Sequence, residues 1–326
     1  LARLGAALET EAPRSRGLDN CHQRAQRLQG LLQQLTGPTP AGQVHWFETW
    51  RRSFRVHLTP LEVADNFGAR REELQGRWIF TSATLSVNGR FEHFARRLGL
   101  EDARTLMLDS PFDYQRNALF YVPQGLPSPA EPDYTGRVLE EAERIITAAR
   151  GRTFVLFTSY RALKQAQEYL GERCAWPLLV QGSAPRNELL QRFRELGNAV
   201  LLGTSSFWEG VDVRGAALSC VIIDKLPFAS PGDPVWQARI EALREAGGNP
   251  FMDEQLPHAV ITLKQGVGRL IRDVDDRGVL VICDPRLLGK RYGRVFLNSL
   301  PDMRRTRDFS AVVDFFHSSD LMGLSS

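Results

Sequence analysis

The sequence predicts an α/β fold in which a parallel sheet carries helices on both faces and a helical segment comes first. Three observations carry this expectation. From about residue 90 onward, short apolar runs alternate with longer amphipathic stretches, the pattern of consecutive βαβ units. Those runs are continuously apolar, as strands buried on both faces must be. A 43% hydrophobic content over 326 residues also supplies enough apolar side chain for two domains with separate cores.

Leu18, Cys21, Ala25, Leu28, Leu32 and Leu35 recur in steps of three and four and mark one helix stripe over residues 18–35. Gly37-Pro38-Thr39-Pro40-Ala41-Gly42 then breaks the chain as a linker does. The stretch from Trp46 to Leu61 interleaves aromatic and basic residues, among them Trp46, Phe47, Trp50, Arg51, Arg52, Phe54 and Arg55. Such interleaving can stack bases and hold phosphates, or it can be an amphipathic element with its rings buried. The helical spacing of Trp46, Trp50 and Phe54 favours the buried element. Trp78-Ile79-Phe80 reads as a short strand.

Strands are expected at 117–122, 153–158, 199–203, 218–223 and 278–283, with helices at 134–150, 161–171, 186–196, 235–246, 254–272 and 289–297. Beyond Pro301, a basic stub from Met303 to Asp308 leads into Phe309, Val312, Val313 and Phe316, spaced as one apolar helix face. This tail suits either docking to a partner or folding back on its own domain. Domain limits are expected at residues 1–42, 43–90, 91–300 and 301–326.

Charge is nearly balanced, with 41 Lys and Arg against 38 Asp and Glu, so any nucleic-acid contact must be local. The four cysteines form no CxxC pair, which argues against a zinc site or a disulfide framework. Cys220 and Cys283 lie in strand-like runs as packed thiols. No stretch of about 20 apolar residues spans a bilayer, and the expected compartment is the cytoplasm.

Chemistry concentrates in Gln265-Gly266-Val267-Gly268-Arg269-Leu270-Ile271-Arg272. On the predicted helix, a spacing of three puts both guanidiniums on one face. A guanidinium is a permanently charged planar fork that matches phosphate oxygens, and Gly268 permits close backbone approach. The plain alternative is a surface salt-bridge helix. Three hydroxyl-rich segments stand upstream: Thr81-Ser82-Ala83-Thr84-Leu85, Phe154-Val155-Leu156-Phe157-Thr158-Ser159-Tyr160, and Gly203-Thr204-Ser205-Ser206-Phe207-Trp208-Glu209-Gly210-Val211-Asp212. A P-loop is missing. None of Lys164, Lys225, Lys264 and Lys290 stands in a Gly-Lys-Ser/Thr context, and Asp253-Glu254-Gln255 reads as a helix start instead of an acidic metal-binding box.

In that order the segments resemble motifs III to VI of superfamily 2 helicases. Trp208-Glu209-Gly210-Val211-Asp212 narrows the resemblance to the iron–sulfur branch, the DinG and XPD relatives. Ser110-Pro111-Phe112-Asp113-Tyr114-Gln115 and Asp224-Lys225-Leu226-Pro227-Phe228 look like the bacterial DinG/YoaA group. The likeness covers most of the chain from about Trp46 onward.

The resemblance implies a RecA-like second motor domain over residues 91–300, the end of motor domain one over 43–90, and the returning end of an α-helical arch over 1–42. It implies ATP and Mg²⁺ as cofactors, with a 4Fe–4S cluster upstream and none within this chain. Arg272 and Arg269 would be catalytic, as arginine finger and γ-phosphate contact. Gln265, Gly268, Glu209, Gly210 and Asp212 would line the nucleotide cleft, and Thr81, Ser82, Ala83 and Thr84 would couple it to DNA. Thr158, Ser159, Tyr160, Thr204, Ser205, Ser206, Phe207 and Trp208 would contact single-stranded DNA, with Trp208 either stacking a base or filling the core. Arg304, Arg305, Thr306, Phe309, Val313 and Phe316 would meet a partner, the chi accessory subunit of DNA polymerase III. The expected function is the C-terminal part of a 5′ to 3′ DNA helicase, inactive as an ATPase by itself. The alternatives are a non-catalytic binding module and an exonuclease-linked relative.

Overall fold

The computed structural model describes residues 1–74, 76–204, 207 and 215–323, with side chains as far as Ser318. The chain divides into two units. One comprises Leu1–Arg77, Arg96–Leu100 and Ser230–Pro250; the other comprises Trp78–Ala95, Glu101–Ala229 and Phe251–Ser326.

In the first unit, helix Ala2–Glu11 packs on helix Arg16–Thr36, whose first turn is capped by Ser15 accepting the Leu18 amide at 3.2 Å. An antiparallel hairpin of β1 (Gln43–Trp50) and β2 (Ser53–Pro60) follows, paired from Gln43 with Pro60 to Trp50 with Ser53. It replaces the amphipathic element with buried rings expected at helical spacing over Trp46 to Phe54, and leaves Trp50 and Phe54 exposed. A spacing of four is even, so Trp46 and Trp50 satisfy a strand period of two as well as a helical one. Cross-strand pairs decide between them: Trp46 stacks on His57 with ring centroids 4.0 Å apart, and Glu48 accepts from His57 at 3.0 Å. Helix Ala64–Glu73 comes next, and helix Pro234–Glu245 packs against β1, where Arg239 donates to the Leu61 carbonyl at 2.9 Å.

The second unit is built on a seven-stranded sheet in which every pairing is parallel: β3 (Ala118–Tyr121), β4 (Thr153–Leu156), β5 (Leu178–Val180), β6 (Val200–Gly203), β7 (Cys220–Ile223), β8 (Gly278–Ile282) and β9 (Arg304–Thr306). Spatial order is β5-β6-β4-β7-β8-β3-β9. Alternate residues point to opposite faces and make two cores. Phe120, Phe154, Leu201, Val221 and Leu280 meet helices Arg186–Leu196, Leu256–Val267 and Gly293–Ser299. Leu119, Val155, Leu202, Ile222 and Val281 meet helices Tyr134–Ala149, Tyr160–Arg173 and Phe309–Gly323. Cys220 and Cys283 are buried thiols.

Differences from expectation have local causes. Residues 76–82 form no strand; Trp78 instead stacks on Phe80, which meets Phe94 edge-on. β5 and β9 are three residues each, too short to leave a periodic signal. The tail folds back on its own unit. Arg304, Arg305 and Thr306 are β9, paired with Leu119, Phe120 and Tyr121, while Val312, Phe315 and Phe316 lie buried in the second core. Phe316 therefore offers a partner no ring surface.

Candidate functional site

The helix bearing Gln265 ends at Val267, so Arg269 and Arg272 do not share a helical face. Gly266 and Gly268 weaken the last turn, and the chain continues in a tight turn with the Arg269 amide bonded to Gly266 and the Leu270 amide to Val267. Leu270 and Ile271, both buried in the first core, fix the segment between the two half-buried arginines. The Asp276 carboxylate then gathers the backbone: one oxygen accepts the amides of Arg272 at 2.7 Å and Asp273 at 2.8 Å, the other that of Gly215 at 3.0 Å. The Asn117 side chain donates to the Val274 carbonyl at 3.0 Å. Tyr114 lies within reach of the Arg272 charge; burial raises its phenol pKa, while a hydrogen bond with Ser110 and Arg272 itself oppose the rise.

Topology explains this gathering. Gly215 precedes β7, Arg272 precedes β8 and Tyr114 precedes β3, and these three strands are neighbours in a parallel sheet. All three connections therefore meet at its amino edge.

The hydroxyl-bearing segments meet at the carboxyl edge instead. There Gln181, after β5, accepts the Thr204 amide at 2.6 Å and hydroxyl at 3.0 Å, and donates to the Tyr160 hydroxyl at 3.1 Å. Ser159 spends its oxygen capping helix Tyr160–Arg173, accepting from Ala162 at 3.2 Å. Thr158 donates its amide to Asp224 at 3.0 Å and its hydroxyl at 3.3 Å, and the Lys225 amide reaches the same carboxylate at 2.7 Å. Burial pushes the Asp224 carboxyl up to about 7 against those donors and the Lys225 charge. The Tyr134 hydroxyl ties β7 to β8 by donating to the carbonyls of Asp224 at 2.6 Å and Cys283 at 3.2 Å, and burial raises its pKa steeply.

Next to it, fully buried Asp284 accepts the Leu226 amide at 2.9 Å and pairs with Arg286 at 2.6 Å. Burial alone would lower the Arg286 guanidinium, and that pairing more than reverses it. Among the described residues of the hydroxyl-bearing segments, Tyr160, 67% exposed, has open ring surface. Thr204 is buried behind Gln181, and Phe207 is a core residue, 3% exposed beneath Gly203, so it has no face for DNA. A Cβ on Gly203 would stand 2.9 Å from that of Phe207.

Thr81, Ser82, Ala83 and Thr84 make an exposed turn closed by the Thr84 amide donating to the Ser82 hydroxyl at 3.1 Å. Two residues on, Ser86 accepts the Lys264 ammonium on its carbonyl at 2.8 Å and its hydroxyl at 3.3 Å. Lys264 adjoins Gln265, so this turn is fastened to the arginine-bearing helix; burial lowers the lysine pKa. Ser205, Ser206, Trp208, Glu209, Gly210 and Asp212 lie outside the described residues. Sequence reasoning does not single out Asp276, Asp224, Asp284 or Lys264 for these roles. Only Asp276 leaves a signal, an acidic cluster directly after the arginines that fits a loop cap.

Residues 142–303 match the family model described as a helicase C-terminal domain. ATP-dependent DNA helicase YoaA of Haemophilus influenzae is 47% identical over 315 residues, covering 97% of this chain and 49% of that protein. This chain belongs to the DinG/YoaA-like, XPD-related helicases. YoaA of Escherichia coli is 51% identical over 302 residues, covering 93% of the chain and 48% of the relative. ATP-dependent helicase DinG of Mycobacterium tuberculosis is 39% identical over 262 residues, covering 79% and 39%. A solved structure titled XPD_APO shares the fold, with a TM-score of 0.62 at 18% identity over 92% of this chain and 61% of that one. The chain spans about half the length of the YoaA relatives.

Proposed function

We propose that this chain is the portion of an ATP-dependent DNA helicase that carries its second, RecA-like motor domain and translocates on single-stranded DNA, 5′ to 3′ by analogy with the family. The observation that carries this reading is the fixed arginine loop, in which buried Leu270 and Ile271 and the Asp276 carboxylate hold the backbone around Arg269 and Arg272. Two guanidiniums carried on a fixed backbone suit the terminal phosphates of a nucleoside triphosphate. ATP with Mg²⁺ supplies the phosphoryl group that is cleaved. Arg272 acts as the finger that stabilises charge as that group leaves, Arg269 binds the terminal phosphate, and Gln265 with Gly268, Glu209, Gly210 and Asp212 completes this side of the cleft. The P-loop belongs to the other motor domain, and this chain by itself does not hydrolyse ATP.

Along the carboxyl edge, Thr158 and Tyr160 with Ser205, Ser206 and Trp208 belong to the DNA track, and buried Thr204 holds Gln181, which in turn donates to the Tyr160 hydroxyl. Contacts to the backbone there carry no sequence information, as movement along any strand requires. The turn Thr81–Thr84 passes nucleotide state to the Gln265 helix, a role supported by the Lys264–Ser86 bond. Work in DNA repair or replication within the cytoplasm follows from this reading. A partner such as the chi subunit would meet the exposed side chains of Arg304 and Arg305 on β9.

Arg272→Ala in a protein that also carries the P-loop domain tests the finger. Turnover should fall about a thousandfold or more while nucleotide affinity changes little, since a finger acts on the transition state. Equal losses in affinity and turnover would reject it.

A further inference from the structure

The β1–β2 hairpin presents a surface that the helicase reading leaves unused. Opposed residues share a face, so Phe47 with Val56 and Thr49 with Phe54 make one side of the ribbon near its tip. That side is bare: Phe47 is 70% and Phe54 75% exposed. The other side closes on itself through the Trp46–His57 stack and the Glu48–His57 bond. Arg51 and Arg52 form the two-residue turn, and Arg55 lies over the Trp50 ring at 5.5 Å.

Between Trp46 and His57 the ribbon carries three arginines against one glutamate, and that glutamate is divided between His57 at 3.0 Å and Arg55 at 3.8 Å. Bare rings beside this excess of positive charge suit a polyanion whose repeating units have flat apolar faces. Single-stranded DNA is such a polymer, since each base offers a face to a ring and each phosphate an oxygen pair to an arginine. An apolar protein segment could cover the rings but would leave the arginines without counter-charge.

We infer that the tip of the β1–β2 hairpin is a second contact for single-stranded DNA, with Phe47 and Phe54 stacking bases and the turn residues Arg51 and Arg52 holding phosphates. The choice of DNA as ligand rests on the helicase reading; the site itself does not.

The test is fluorescence anisotropy of a labelled oligothymidylate, about 20 nucleotides long to exceed one site of this kind, titrated with the chain. Phe47→Ala with Phe54→Ala should weaken binding at least about tenfold, as removal of base stacking does. Arg51→Gln with Arg52→Gln leaves every strand pair in place and should reduce the slope of log affinity against log salt by about 1.4, or roughly 0.7 for each phosphate no longer held. Unchanged melting temperatures must accompany both results, which excludes misfolding as the cause.

Affinity and salt slope that both survive the hairpin changes overturn the proposal. If Thr158→Ala with Tyr160→Ala weakens binding in that case, the helicase reading stands without it. If no form of the chain binds the oligomer the proposal also falls, and the Arg272 turnover measurement then decides the helicase reading separately. A hairpin variant that loses thermal stability in the longer protein but keeps its DNA affinity would assign the bare rings to a protein contact, and the proposal would be wrong.

Discussion

Asp276 holds the backbone amide of Arg272 at 2.7 Å and, with its second carboxylate oxygen, the amide of Gly215, 61 residues earlier in the chain. One side chain thus sets the conformation of the arginine loop and fastens it to the segment entering β7. The neutral bond from Asn117 to the Val274 carbonyl adds a tie to the segment entering β3.

Asp276→Ala should destabilise the second unit by about 1–3 kcal/mol, because three amides lose an acceptor and only part of that loss can be made good by water. Asp276→Asn should fall between, since its single carbonyl oxygen can serve one side of the clamp. Thermal denaturation of both variants checks this. A change below about 0.5 kcal/mol for the alanine form, the usual range for an uninvolved surface site, would show that the carboxylate does not clamp the loop.

Asp224 should make stability pH-dependent with a sign opposite to that of a salt-bridged carboxylate. Burial raises its folded-state value to about 7 from an ordinary 3.8. Between those values the folded form keeps a proton that the unfolded chain has released. The contribution is therefore present at low pH and is lost as pH rises through about 7. Melting temperatures of the wild type and of Asp224→Asn across about pH 5 to 8 should diverge in favour of the variant as pH rises. A gap that stays constant would show that Asp224 does not titrate in this range.

Gly278→Ala should be costly although the position is in a strand. An added Cβ would come within 2.5 Å of the Leu270 side chain and 2.8 Å of the Ser219 carbonyl, which is already committed to the Val279 amide. Backbone cannot yield there, so Leu270 must move and carry the arginine loop with it. A loss of about 1–3 kcal/mol is expected from overpacking. Gly289→Ala, with nothing within 4 Å of the new methyl, is the control. Equal stabilities for the two variants would contradict the packing account.

What can be seen in the sequence depends on length of signal and on which interactions are local. Five of the seven parallel strands announce themselves because each is an unbroken apolar run such as Cys220–Ile223. Helix Tyr134–Ala149 is equally plain from its apolar stripe. The hairpin escapes because Trp46 and Trp50 fit two periods at once, and only their partners across the turn distinguish them.

For the candidate site, residue types are legible and their placement is not. Arg269 and Arg272 look like helix neighbours until Leu270 and Ile271 are drawn into the core and Asp276 takes the amides beyond. Phe207 sits among hydroxyls that suggest a surface, yet Gly203 leaves a space that its ring fills. Asp224 and Asp284 act through backbone amides, two of which, those of Thr158 and Leu226, are far away in sequence, and no local pattern encodes that.

The three-residue β9 also changes what the tail is for. It lies along β3, an Ala-Leu-Phe-Tyr strand with all four residues buried, and its own outward side chains include Arg304 and Arg305. A short, cationic border strand repels the edges of other sheets, whereas β3 laid open would invite them. Trimming the chain at residue 303 would thus trade a guarded rim for a sticky one, and the shortened protein would be expected to aggregate before any loss of partner binding could be measured.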